Sequence, residues 1–132
     1  MEIYEIDSIL ACIVHRSKNW KAGLDFLTRD TDFVQVGTWN YNSGKKLDKH
    51  YHNEIKRTAH ITQEVVIVMK GSILAHLYNS KFSLAETITL NEGDIGIFLS
   101  GGHGYEILSD DTRIIEVKNG PYLGVEVDKT RF

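Results

Sequence analysis

Apolar and polar residues alternate in short runs along most of this chain, and turn-forming residues separate the runs. Ile9–His15 and residues 33–41 read as strands, the second setting Phe33, Gln35, Gly37, Trp39 and Tyr41 against Val34, Val36, Thr38 and Asn40. Residues 24–28, between them, have room for one helical turn, although Gly23 and the Asp-rich flank favour a loop. Residues 64–69 and Ser72–Tyr78 are two further strand runs separated by Lys70-Gly71, the signature of a tight hairpin. Asn79-Ser80 turns the chain into residues 82–90, and the turn at 91–94 leads to residues 95–99. Arg113–Lys118 makes a last strand, closed by Asn119-Gly120 and the only proline, Pro121.

Many short strands without interleaved helices predict an all-β, antiparallel sandwich or barrel. Closing such a sheet into a jelly roll removes exposed edges and leaves an interior able to take a small ligand. At 132 residues the expectation is one domain covering residues 1–132, with a barrel core of about 33–118 and both termini packing on it or on a partner.

Charge and cysteine usage narrow the functional classes. The net charge is −3, so nothing advertises a nucleic-acid partner. Cys12 is the only cysteine, which excludes an intrachain disulfide and agrees with a reducing, cytoplasmic setting. The first residues, MEIYEIDS, are acidic where a signal peptide is basic, and no apolar run approaches the length of a membrane span.

The chemistry concentrates in residues 44–71, which hold three of the six histidines. His50 and His52 sit two apart, so an extended backbone projects both from one strand face. Glu64 opens an apolar run and shares a face with Val66 and Val68. A carboxylate there is costly unless compensated, and a divalent cation held with imidazoles would compensate it. His103, in the glycine-rich stretch Gly101-Gly102-His103-Gly104, offers a further nitrogen. The alternative for the His50/His52 pair is a solvated strand face, and for Glu64 a salt bridge to Lys56 or Arg57. His15 and His76 read as structural.

Gly44, five residues, then His50-Tyr51-His52 resembles the first half of the first cupin motif; Glu64, six residues, then Gly71 resembles its second half. Eleven residues separate His52 from Glu64 where cupins have three or four. Gly93, Gly101 and His103 resemble the second motif, with Leu99 in place of its proline and no asparagine after the histidine. His60, three residues before Glu64, has the spacing of the motif's second histidine, but Thr58 stands where the first belongs. The resemblance implies a double-stranded β-helix.

Convergence of His50, His52, Glu64 and His103 would give three nitrogens and one oxygen, a set suited to Fe, Mn, Ni or Zn as a divalent ion. The expected function is a metal-binding small-molecule enzyme acting on a sugar or other polar metabolite, of isomerase, epimerase or dioxygenase type. A second expectation follows a cupin branch that isomerises nucleotide-linked keto sugars without metal: His50 and His52 would move protons, with Tyr51 as auxiliary acid and Tyr105 completing the pocket. A non-catalytic binding module is the third. Lys56 and Arg57 are candidates to attract an anionic substrate. The resemblance to small bacterial cupins further implies a homodimer, with Ile3, Tyr4, Ile6 and Ile9 as contact candidates unless they complete their own sheet.

Overall fold

The computed structural model describes all 132 residues. The chain is almost entirely antiparallel β-structure: β1 (Glu2–Ile6), β2 (Ile9–His15), β3 (Gly23–Phe26), β4 (Gly37–Asn40), β5 (Glu64–Lys70), β6 (Ser72–Tyr78), β7 (Leu84–Asn91), β8 (Ile95–Phe98), β9 (Gly102–Ile107) and β10 (Arg113–Lys118). One short helical turn, α1 (Val125–Asp128), follows. No helix is long and apolar enough to cross a membrane.

A five-stranded sheet in the order β1-β2-β8-β5-β10 faces a three-stranded sheet in the order β7-β6-β9, and β3-β4 form a separate ribbon. From β5 onward the chain passes between the two large sheets in jelly-roll fashion, β6 and β7 alone being consecutive neighbours in one sheet. The reason is burial: Val66, Val68, Cys12, Val14 and Phe98 on one sheet pack against Ile73, Ala75, Leu77, Ile88 and Leu90 on the other, forming the main core. The outer face of the larger sheet carries a second cluster, where Ile13, Val65, Ile95, Ile97 and Leu99 lie under Leu27 and Val34. β9 pairs only with β6, and β10 only with β5, so each leaves one edge without a strand partner.

Ile9–His15, Ser72–Tyr78 and Arg113–Lys118 are strands with the expected bounds. Other segments differ. Lys70-Gly71 does not close a hairpin: β5 and β6 belong to different sheets, and Gly71, at φ 79°, is the corner between them. Apolar runs on both sides of a turn permit either arrangement, and the inter-sheet core selects the crossing. Residues 24–28 do not form a helical turn; Gly23–Phe26 is a strand paired with Gly37–Asn40. The strand expected at 33–41 shrinks to Gly37–Asn40, because the Phe33 and Val34 amides donate instead to the Gln63 side chain. No strand forms between Asn40 and Glu64, so the extended pairing expected to carry His50 and His52 is not made. At the N-terminus β1 completes its own sheet against β2, with Tyr4 and Ile6 packed on the core while Ile3 and Ile9 stay exposed.

Candidate functional site

Glu64 heads β5 with its side chain on the same face as Val66 and Val68, turned into the space between the sheets, and it is 4% exposed. Its neighbour Gln63 seats it. The Gln63 amide donates to Asn119 Oδ1 at 2.7 Å, and its side chain accepts from the Phe33 and Val34 amides and donates to the Leu99 carbonyl. The start of the strand is therefore tied to three other segments.

Three donors converge on the Glu64 carboxylate. Tyr105 Oη donates to Oε1 at 2.7 Å, His103 Nε2 lies 3.6 Å from the same oxygen, and Lys118 Nζ lies 3.1 Å from Oε2. The register explains each. Lys118 stands directly opposite Glu64 in the β10–β5 ladder, and His103 and Tyr105 project two apart from one face of β9. Phe98, opposite Glu64 on β8, packs its ring 4.9 Å from His103 and 5.3 Å from Tyr105. Lys118 also reaches Glu116 Oε1 at 2.7 Å, and Glu116 lies half-exposed beside the site.

Burial acts to raise the pKa of Glu64, and the nearby His103, the Tyr105 hydrogen bond and the Lys118 ammonium outweigh it, holding the carboxyl at about 2. Burial, with the adjacent carboxylate, pushes the Tyr105 phenol well above its ordinary range. Burial opposes the charge on Lys118, but Glu116 and Glu64 prevail and raise its pKa. At neutral pH the site holds an ionised carboxylate, a protonated phenol and a charged ammonium.

Glu64, His103 and Tyr105 line a cavity of about 810 Å³, which also takes in Phe98, Glu116, the glycine stretch at 101–104 and the C-terminal residues 128–132. Asp128 accepts a hydrogen bond from the Thr62 hydroxyl, and Phe132 lies against Tyr78 and Phe82.

Of the expected site residues, Glu64, His103 and Tyr105 are brought together; His103 sits on a strand and not on a flexible loop. His50, Tyr51, His52, Lys56 and Arg57 are exposed and line no part of the cavity. His50 and His52 face each other edge-on at 5.3 Å, and Tyr51 is 85% exposed. The four expected metal ligands do not converge: no group of three or more His, Cys, Asp or Glu side chains gathers anywhere in the chain. Both Glu64 oxygens are engaged, one of them by an ammonium. As folded, this donor set does not fit a resident divalent ion. The physical reason is that residues 41–63 lack the strand pairing needed to carry two imidazoles inward.

His60 stacks edge-on against Phe33 at 5.0 Å, away from Glu64. His15 is buried, with Nε2 3.0 Å from the Asn19 carbonyl, and His76 Nε2 lies 3.9 Å from Glu106. Lys118 was legible only as an alternating strand residue, and nothing local marked residues 128–132 as cavity lining.

Comparison of the chain with protein-family models, with curated proteins and with solved structures gives no significant match.

Proposed function

We propose that this chain is a small-molecule enzyme that moves a proton on a polar metabolite, a sugar or similar hydroxylated compound, at the His103–Glu64 pair. The observation that carries this reading is the placement of His103 Nε2 3.6 Å from a buried, ionised carboxylate, both groups lining one cavity. Histidine is the side chain whose ordinary pKa suits it to accept and return a proton near neutrality, and an adjacent carboxylate orients the ring.

In this reading neutral His103 takes a proton from carbon beside a substrate carbonyl. The C–H electron pair moves onto the carbonyl oxygen, giving an enolate. Transfer of the adjacent hydroxyl proton to the former carbonyl oxygen, with return of the carbon proton to the former carbonyl carbon, completes an isomerisation, and return of the proton to the other face of the original carbon completes an epimerisation. Glu64 stays ionised throughout, and Tyr105 fixes its position. The cupin likeness supports the class: Glu64 and Gly71 keep the motif spacing, and Glu64 shares its cavity with His103.

The test is a panel of aldoses, ketoses and nucleotide-linked keto sugars incubated with the protein in D₂O, followed by mass spectrometry. Deuterium should enter carbon in at least one compound, persist in the presence of a chelator, and disappear in His103→Gln. Absence of incorporation across the panel, or unchanged incorporation in His103→Gln, rejects the assignment.

A second reading rests on the same pair. Glu64 and His103 are two of the four candidate ligands, and the segment carrying His50 and His52 has no strand pairing to hold it elsewhere. A metal-dependent enzyme would draw that segment in. Elemental analysis should then find a first-row transition metal in the parent and loss of it in His52→Ala, whereas equal trace metal in both removes this reading.

A further inference from the structure

Five consecutive residues, Asp128 to Phe132, line the same cavity as Glu64 and His103. Two of them are cations, Lys129 and Arg131, and neither forms an ion pair. This is notable because three carboxylates, those of Glu64, Glu116 and Asp128, line that cavity too. Each already has a partner: Lys118 bridges Glu64 and Glu116, and Asp128 accepts from Thr62. The Lys129 side chain also approaches that of Lys118.

The segment that carries these cations is anchored at both ends. Asp128 is tied to Thr62, and Phe132 packs against Tyr78 at 5.1 Å and Phe82 at 4.7 Å, its ring lying over Gly102. A Cβ at position 102 would stand 2.8 Å from Phe132 Cζ, so the glycine is what lets the ring settle there. Lys129 and Arg131 are thus held beside the cavity by contacts on either side of them.

We propose that the site takes an anionic small molecule, its phosphate or carboxylate oxygens held by Lys129 and Arg131 while its reacting carbon faces His103. The inference rests on the proton-transfer reading for the second half of that statement only; the anion site stands on the C-terminal segment itself. Lysine supplies a point charge and arginine a two-pronged donor, the pairing suited to planar or tetrahedral oxyanions.

Three ligands with one carbon skeleton and different charge test it: glucose, gluconate and glucose 6-phosphate, titrated into ¹⁵N-labelled full-length protein and followed by amide shifts at Gly101, Gly102 and Gly104. Gluconate or glucose 6-phosphate should saturate these shifts at a concentration at least about tenfold below that needed for glucose, as the loss of one charge-assisted contact predicts. Lys129→Gln combined with Arg131→Gln should erase that advantage, while His103→Gln should preserve it. Equal binding of all three compounds, an unchanged preference in the double variant, or no saturable shift with either anion overturns the proposal. Glucose binding without charge preference leaves the proton-transfer reading standing. A charge preference that persists where deuterium exchange fails removes that reading and keeps the anion site.

Discussion

Replacing Glu64 by glutamine keeps the shape of the side chain and removes its charge, which makes it a direct probe of the network at the head of β5. A carboxyl held at about 2, against an ordinary 4.5, contributes about 3 kcal/mol of stability when fully ionised. The substituted amide can still accept a hydrogen bond from Tyr105, and Lys118 keeps Glu116, so the expected loss at pH 7 is about 2–3 kcal/mol. At a urea slope of about 1–3 kcal/mol/M the unfolding midpoint should fall by roughly 0.7–3 M. The pH dependence supplies the sharper check. Because the folded-state pKa lies below the unfolded one, the contribution is present above about 4.5 and is lost as pH falls toward 2. The gap between parent and Glu64→Gln should therefore be full at pH 6–7 and shrink steadily from about pH 4.5 downward. Comparing the two proteins at each pH cancels the titration of the other carboxylates. A variant as stable as the parent at pH 7, or a gap that stays constant on acidification, would show that the convergence of donors on Glu64 does not stabilise the fold as reasoned.

Two further substitutions probe the frame around the site. Gly71→Ala should cost about 2–4 kcal/mol in urea unfolding, since φ of 79° disfavours any side chain and a Cβ would stand 2.6 Å from Ser109 Oγ and 3.1 Å from Thr112 Cα; a loss under about 1 kcal/mol would mean that the corner between the sheets relaxes freely. Arg16 ties Glu2 on β1 to Asp94 at the β7–β8 turn, with contacts of 2.7 and 2.9 Å, and donates to the Thr89 carbonyl at 2.7 Å. Arg16→Met should destabilise by about 2–3 kcal/mol and speed amide exchange in residues 2–6, and parent-like exchange there would refute the tie.

Strand content, most strand positions and three site residues, Glu64, His103 and Tyr105, could be read along the chain, because alternation over short runs and the turns between them are local properties. Ser72–Tyr78 is such a case: Ile73, Ala75 and Leu77 are buried while the residues between them are half-exposed. Glu64 and His103 were legible for a similar reason, each being a chemically costly or unusual residue in an otherwise regular context. The His50-Tyr51-His52 triplet shows where this approach fails. Its spacing fits a strand, but a strand exists only if another segment offers an edge in register, and nothing within residues 41–63 specifies that edge.

Tertiary structure alone decided the rest. That Lys118 stands across from Glu64 depends on β10 pairing with β5 across a long intervening stretch of chain, in a register where a one-residue slip would turn Lys118 to the other face. That Lys70-Gly71 turns from one sheet to the other, and not back on itself, was decided by the apolar surface each sheet buries against its opposite. The local code determined which residues are extended and which carry unusual chemistry; burial and long-range register determined which of those residues meet.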